Sequence, residues 1–211
     1  MRQLKASSAI ATGTALLLHL AANPAAAHHP TGGQTPATLW HGLLSGFGHP
    51  VIGPDHLAFI IAIGIAAALV GNGSLAIIVA FIATSTIGVL LHLASFNLPV
   101  VEPLVALSVV AAGLLLLVTS EQRRHVWLPL AAAAGLLHGY AFGESVIGAE
   151  QGVIGAYLAG IAVVATVIAW GIAQLTRRFA AMEVGPQRIR IAGGVVGCIG
   201  LIMLLASLIG A

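Results

Sequence analysis

The sequence predicts an all-α membrane protein, a polytopic bundle of six transmembrane helices with one short additional segment before the first of them. Two features carry this prediction. Of the 211 residues, 59% are hydrophobic and only 7% are charged, whereas about 25% of the residues of soluble domains are charged. The apolar residues also fall into separate stretches of about 20 residues, the length that an α-helix needs to cross the hydrocarbon core. Because the connections between these stretches are short, we expect no soluble catalytic domain and no enzymatic activity.

The first 27 residues are typical of a secretory signal peptide. Arg2 and Lys5 form a basic start, residues 9–22 form the apolar region, and three consecutive alanines provide a small-residue cleavage site. We therefore expect residues 28–211 to form a single transmembrane domain of the inner membrane, with its mature N-terminus in the periplasm. An uncleaved signal anchor would give the same topology.

Six apolar stretches follow the signal, and each is predicted to form a spanning helix. They cover residues 54–71, 74–96, 99–119, 126–143, 151–175 and 189–210. A further apolar stretch, residues 36–48, is too short to cross the membrane as one helix. We predict that it is re-entrant or interfacial.

The arginines support six spans rather than seven. Counted from an external N-terminus, six spans place the connections 120–125 and 176–188 in the cytoplasm. These connections and their edges hold every arginine of the mature chain, namely Arg123, Arg124, Arg177, Arg178, Arg188 and Arg190. Cytoplasmic connections are enriched in arginine and lysine. A seventh span would place all of these arginines outside, and it is therefore rejected.

Ionisable side chains collect at the opposite, outer ends of the predicted helices. They are Asp55, His56, His92, Glu102, His138, Glu144 and Glu150. Ionisable groups within a membrane domain are costly and usually mark a pathway or a ligand site, and imidazoles with carboxylates are suitable ligands for divalent transition metals. The pattern predicts an outward-facing cation site. As alternatives, His92 could form hydrogen bonds at a helix end, and Glu102 and Glu150 could interact only with helix dipoles.

The strongest candidate is the segment from His49 to His56, which opens the first predicted span. Pro54 suits the first turn of a helix, whereas Pro50 and Gly53 are expected to keep the preceding residues out of regular helix. In that conformation the imidazole of His49 can fold back toward the start of the span.

A divalent metal ion is therefore expected to be captured at this segment from the outer side. The predicted ligands are His49, Asp55, His56 and His138, with Glu144 or His92 completing the shell. The helix dipole favours the ionised form of Asp55 in the first turn. Metal ligands must be deprotonated to bind, so uptake is expected to fall as the pH drops through the histidine range.

Small residues form stripes along two of the predicted helices. The helix that carries His138 has glycines at positions 135, 139 and 143. Such stripes let helix backbones approach closely, and this one could bring His138 near Asp55 and His56. Gly193 and Gly197 repeat the pattern in the last helix, where we interpret it as packing alone.

Two segments carry motifs of a known family. Residues 49–59 read HPVIGPDHLAF, and residues 138–145 read HGYAFGES. The first resembles the H-x5-D-H signature of the HupE/UreJ family, the hydrogenase and urease accessory permeases for nickel. The second resembles that family's histidine-glycine-x-alanine-histidine-glycine-x-glutamate signature, except that Phe142 stands at the second histidine and Ser145 at the glutamate. By this resemblance His138 keeps its role, and Glu144, one residue earlier, is expected to substitute for the missing carboxylate.

The resemblance implies a secondary permease for nickel or cobalt, two ions that ligand preference alone does not separate. No Walker-type glycine loop occurs, so ATP is not an expected partner. Six arginines balance six acidic residues once the signal is removed, so no nucleic acid is expected either. The expected partners are the metal ion and the lipid bilayer, and no permanently bound cofactor is expected.

Two alternatives remain open at this stage. One is an intramembrane haem- or metal-binding redox protein that uses His92 and His138 as axial ligands. The other is a metal-binding accessory subunit without transport activity of its own. The sequence does not decide between a monomer and a homo-oligomer.

Overall fold

The computed structural model describes residues 35–71, 74–118, 123–180 and 185–209, so the predicted signal peptide lies outside the described residues. These residues form seven α-helices and no strand. The helices are α1 (Leu39–Ile52), α2 (Pro54–Val70), α3 (Ser74–Leu93), α4 (Val101–Val118), α5 (Arg124–Gly143), α6 (Gln151–Ala180) and α7 (Gly185–Ile209). A short 3-10 turn, Glu144–Val146, follows α5.

The predicted all-α polytopic bundle is confirmed. The helices α3 to α7 are each long and apolar enough to cross a membrane, and α1 and α2 form a pair that passes the same test together. The axes of α1 and α2 differ by 79°. When the bent pair is counted as one span, the total equals the six spans that the sequence predicts.

The bend between α1 and α2 lies at Gly53, whose extended backbone separates the two helices. The expectation that Pro50 would keep this segment out of regular helix is wrong, because Pro50 lies inside α1. Packing overrides the low helix propensity of proline at this position. A Cβ atom at Gly46, one turn earlier, would overlap the carbonyl oxygen of Tyr157, so the backbones of α1 and α6 are in direct contact. Pro54 occupies the first turn of α2, as predicted.

The helix α1 packs against the first half of α6, and α2 packs against the second half. Gly42 and Gly46 of α1 face Val153 and Tyr157, whereas Gly64 of α2 faces Ala169. The two helices therefore pack in succession against one long helix. The segment predicted to be re-entrant or interfacial, residues 36–48, falls largely within α1, the first helix of this bent pair.

The helix α2 is the centre of the bundle and packs against all six of the other helices. Its side chains are buried around the whole circumference, from Ala58 to Ala67, as expected for a helix that is apolar on every side. The main core lies between α2 and its neighbours, and a smaller cluster around Phe142 and Tyr157 lies beside the bend.

Glycines bring the surrounding helices together in pairs. A Cβ atom at Gly139 would overlap the carbonyl of Ser85, so α5 packs directly on α3. Gly113 and Gly197 bring α4 and α7 together in the same way. The glycine stripe of α5 thus contacts α3, and His138 reaches α2 from a neighbouring face of the same helix.

Candidate functional site

Three imidazoles meet at the bend between α1 and α2. His49 comes from the last turn of α1, His56 from the first turn of α2, and His138 from α5. The ring centroids of His49 and His56 are 5.6 Å apart, and those of His56 and His138 are 4.9 Å apart. All three side chains are almost completely buried. We call these three residues the histidine cluster.

A hydrogen-bond chain links His56 to α4 through His138. The Nδ1 atoms of His56 and His138 are 2.7 Å apart, and the Nε2 atom of His138 lies 3.0 Å from the hydroxyl oxygen of Ser108. The Ser108 hydroxyl donates to the carbonyl oxygen of Val105 over 2.6 Å. Three helices, α2, α4 and α5, are therefore joined by polar contacts within an otherwise apolar interior.

His49 is held by a second group of hydrogen bonds. Its Nδ1 atom lies 2.8 Å from the hydroxyl oxygen of Tyr157 and 2.9 Å from that of Ser145. The Tyr157 hydroxyl donates to the carbonyl oxygen of Phe142 over 2.7 Å. The end of α1 is thus fixed to both the 3-10 turn and α6.

Asp55 lies beside the histidine cluster at the start of α2. Its Oδ1 atom accepts the backbone N–H of His56 over 2.8 Å and lies 4.0 Å from the Nδ1 atom of His56. Gly53 leaves room for this arrangement, because a Cβ atom there would lie 2.6 Å from the Cδ2 atom of His56. The expected approach of His49 to His56 is therefore produced by a helix end and a sharp bend.

Phe142 packs against two of the imidazoles. Its ring centroid lies 5.0 Å from that of His49 and 4.4 Å from that of His56. The hydroxyl of Ser145 contacts His49 as described above. The two positions at which this chain departs from the family signature therefore both face the histidine cluster.

A cavity of about 280 Å³ reaches the histidine cluster from one end of the bundle. Its ionisable lining residues are Asp55, His56, His92, Glu102 and Glu144, contributed by α2, α3, α4 and the 3-10 turn. We call this cavity the vestibule. Residues from four separate parts of the sequence thus converge on one space, with three carboxylates and two imidazoles.

The loop between α3 and α4 is tied to the vestibule wall by Tyr140. The hydroxyl of Tyr140 donates to the carbonyl oxygen of Phe96 and accepts the backbone N–H of Leu98. The Nδ1 atom of His92 lies 2.8 Å from the carbonyl oxygen of Tyr140. His92 therefore makes the helix-end hydrogen bond that was one interpretation of its sequence position, and it also lines the vestibule.

The structure divides the predicted ligands between two places. Asp55 and His56 belong to both the bend and the vestibule, His49 and His138 lie deeper, and His92 and Glu144 lie in the vestibule wall. Glu144 is exposed. Within the described ranges, no three His, Cys, Asp or Glu side chains already stand close enough together to hold a metal ion.

Sequence reasoning missed the hydroxyl groups that hold the imidazoles. Ser108 and Tyr157 are buried within apolar spans, and neither belongs to a motif. Their positions carry one weak signal, because a polar side chain in the middle of an apolar stretch must find a partner inside the bundle. The partner of Tyr157, His49, is 108 positions away in the sequence.

The arginines lie at the end of the bundle away from the vestibule. Arg124 begins α5, Arg177 and Arg178 lie in the last turn of α6, and Arg188 and Arg190 lie near the start of α7. The guanidinium of Arg188 lies 5.3 Å from the ring centroid of Phe179. The ionisable residues of the vestibule and the arginines therefore occupy opposite ends.

The fold and the site define a polytopic membrane-helix bundle with a histidine cluster at a break in its central pair of helices. The family model described as HupE / UreJ protein matches residues 16–203. Protein HupE of Rhizobium leguminosarum bv. viciae is 30% identical over 167 residues, which cover 78% of this chain and 85% of that protein. The chain belongs to the HupE/UreJ family. No solved structure matches it.

Proposed function

We propose that this protein is a secondary permease for a divalent transition-metal cation, nickel or cobalt, and that it is not an enzyme. The observation that carries the proposal is the vestibule, which leads to Asp55 and His56 at the bend between α1 and α2. A broken span at a polar centre is the usual position of a substrate site in secondary transporters. The family membership agrees with this assignment.

The vestibule faces the periplasm in this proposal, with the bundle in the inner membrane. Arginine and lysine are enriched on the cytoplasmic side of membrane proteins, and the arginines of α5, α6 and α7 lie at the end away from the vestibule. Capture of the ion then takes place from the outside, and release takes place toward the arginine end.

The vestibule attracts the ion before any ligand is bound. Glu102 and Glu144 are exposed at its wall, and a cleft lined by one sign of charge between apolar walls raises the local concentration of a counter-ion. The ion can remain hydrated here, because no three donor side chains of the described residues are close enough together to replace its water.

The histidine cluster then receives the partly dehydrated ion. His49, Asp55 and His56 supply two nitrogens and a carboxylate, a suitable set for a borderline divalent ion. A vestibule residue, Glu144 or His92, completes the shell.

The test is uptake of radiolabelled Ni²⁺ and Co²⁺ by proteoliposomes that contain the full chain. Asp55→Asn and His56→Ala are expected to reduce uptake to the background of empty liposomes. His125→Ala is the matched control, because His125 is exposed at the arginine end, and it is expected to transport like the wild type. Equal uptake by all four proteins would refute the assigned site.

The same preparation separates the alternative functions. Metal binding without uptake by the wild type would indicate an accessory subunit. A Soret band in the purified protein would indicate haem and contradict the permease. His138, one of the two axial ligands that haem would need, is enclosed by the rings of Phe59 and Phe81.

A further inference from the structure

We propose that Ser108 and His138 are positioning residues that fix the tautomer of His56, so that His56 offers its Nε2 atom to the metal and His138 is not itself a ligand. The metal-binding part of this inference rests on the proposed function. The tautomer itself can be measured without any metal.

The first step is the direction of the Ser108 hydrogen bond. A hydroxyl group has one proton to donate, and Ser108 donates it to the carbonyl oxygen of Val105 over 2.6 Å. The hydroxyl oxygen can therefore only accept from His138. Its distance of 3.0 Å from the Nε2 atom of His138 then identifies this nitrogen as the one that carries the proton.

The second step follows from the chemistry of a neutral imidazole, which has one donor and one acceptor nitrogen. With the proton on Nε2, the Nδ1 atom of His138 is the acceptor. It lies 2.7 Å from the Nδ1 atom of His56, which must donate. The Oδ1 atom of Asp55, 4.0 Å from the same Nδ1 atom of His56, favours a proton there as well.

The proton on Nδ1 of His56 determines which nitrogen of this ring can bind a metal. A neutral His56 with its proton on Nδ1 has its metal-binding lone pair on Nε2. Histidine ligands of metals commonly donate their other ring N–H to a neighbouring group, which fixes the ring and makes the ligating nitrogen more basic. The contact between His56 and His138 has this form, with an imidazole in place of the usual carboxylate or carbonyl.

His138 has neither a nitrogen nor the space to act as a ligand in this arrangement. Both of its ring nitrogens are engaged, with His56 and Ser108. Its side chain is 0% exposed, and its ring centroid lies 4.9 Å from that of Phe59 and 5.8 Å from that of Phe81. To bind an ion, the ring would have to break a hydrogen bond inside an apolar pocket.

The contacts of His49 give the same result independently. Tyr157 donates its only proton to the carbonyl oxygen of Phe142 over 2.7 Å. Its oxygen, 2.8 Å from the Nδ1 atom of His49, therefore accepts from that nitrogen, and the Ser145 hydroxyl oxygen, 2.9 Å from the same Nδ1 atom, is placed to accept from it as well. His49 and His56 thus both carry the proton on Nδ1 and the lone pair on Nε2, although their hydrogen-bond partners belong to different helices.

The tautomer can be measured by long-range ¹H–¹⁵N NMR of the intact, histidine-labelled chain in detergent without metal. We expect His56 to carry its proton on Nδ1 in the wild type. In Ser108→Ala the Nε2 proton of His138 has no acceptor, so we expect His56 to populate both tautomers. A wild-type His56 with its proton on Nε2 would overturn the proposal, whatever the protein transports.

The affinity for Co²⁺ gives the second readout. Loss of a group that orients a metal ligand usually costs about 10- to 100-fold in metal affinity, and we expect a rise of this size in the Kd of Ser108→Ala. Ser108→Thr keeps the hydroxyl and should restore the wild-type Kd. Ser85→Ala is the control, because Ser85 is buried near Gly139 and outside the chain of hydrogen bonds, and its Kd should be unchanged. Equal Kd values for Ser108→Ala and Ser85→Ala would contradict the positioning role.

The third variant separates a positioning residue from a ligand. The amide oxygen of Asn lies where the Nδ1 atom of His lies, so His138→Asn can still accept from His56. We expect His138→Asn to bind Co²⁺ with an unchanged number of imidazole ligands by X-ray absorption spectroscopy, and His138→Leu to bind more weakly than His138→Asn. Loss of one imidazole from the bound ion in His138→Asn would show that His138 is a ligand. If the wild type binds no Co²⁺, the proposed function fails, and the NMR result still decides the tautomer.

Discussion

The bend between α1 and α2 and the vestibule above it contain the same kinds of side chain in different surroundings. At the bend, His49 and His56 are almost completely buried and are held through hydrogen bonds to other helices. In the vestibule, Glu102 and Glu144 are exposed. A buried polar group must be satisfied, and the groups that satisfy it also fix its direction. An exposed carboxylate acts mainly through its charge.

This difference predicts two kinds of sensitivity. Substitutions at the bend should act by moving a ligand, so the loss of metal binding should depend on side-chain size, even on a single added atom, and little on ionic strength. Substitutions in the vestibule should act by removing charge, so the loss of uptake should depend little on side-chain shape and strongly on ionic strength. Variants at the bend should therefore lose more transport than variants in the vestibule.

The largest effect is expected for His49→Ala, which removes a proposed ligand and leaves the hydroxyl of Tyr157 without an imidazole to accept from. Uptake of Co²⁺ by proteoliposomes should fall to the background level. The control is His41→Ala, because His41 lies two turns earlier on the same helix and is exposed. If His49→Ala takes up as much Co²⁺ as His41→Ala, His49 is not part of the metal site.

A smaller but still large effect is expected for Gly53→Ala. Gly53 has φ of −73° and ψ of 112°, which alanine adopts readily, so the backbone is not strained. The added Cβ atom would instead lie 2.6 Å from the Cδ2 atom of His56 and push the ring aside. We expect a loss of metal affinity of about 10- to 100-fold, the usual cost of a misplaced ligand.

The control for this variant is Gly155→Ala, because a Cβ atom at Gly155 of α6 would meet nothing within 4 Å. Isothermal titration with Co²⁺ should give the wild-type Kd for Gly155→Ala. A wild-type Kd for Gly53→Ala as well would mean that the position of His56 is not fixed by the bend.

Much of this contrast was predictable from the sequence because it depends on local signals. Pro54 marks the start of α2 correctly, and the spacing of His49, Asp55 and His56 indicates one site. Along the sequence, helix ends with histidines and carboxylates alternate with helix ends that carry arginines. This alternation predicts which side chains lie at the same end of the bundle. Such signals depend on helix length and on charge, which a sequence displays directly.

The remainder depends on contacts between distant segments, which no local pattern reveals. Pro50 lies inside α1 because α1 packs on α6 through Gly46. Ser108 reaches His138 only because α4 and α5 both flank α2. The glycine stripe of α5 indicated close packing, but its contact with α3 rather than α2 could not be read from its spacing.

Phe142→His tests whether the bend can be given an additional ligand. The ring of Phe142 lies 5.0 Å from that of His49 and 4.4 Å from that of His56, so an imidazole there would face the same space. We expect tighter binding of Co²⁺, by about tenfold or 1.4 kcal/mol, measured by isothermal titration. The control is Phe179→His at the arginine end, where Phe179 packs on Arg188. Weaker binding by Phe142→His than by Phe179→His would show that the apolar ring is needed in its own right.

The smallest effect is expected for Glu102→Gln and Glu144→Gln in the vestibule. Each variant removes one charge and keeps the shape, so the initial rate of Co²⁺ uptake should fall by about two- to fivefold at low salt, the size of an exposed charge interaction. The Debye length falls from about 30 Å at 0.01 M to about 3 Å at 1 M ionic strength, so the difference from the wild type should vanish at high salt. Glu150→Gln is the control, because Glu150 is exposed but does not line the vestibule. A deficit of Glu144→Gln that persists at high salt would identify Glu144, rather than His92, as the vestibule residue that completes the metal shell, and a persistent deficit of Glu102→Gln would add Glu102 to the ligands.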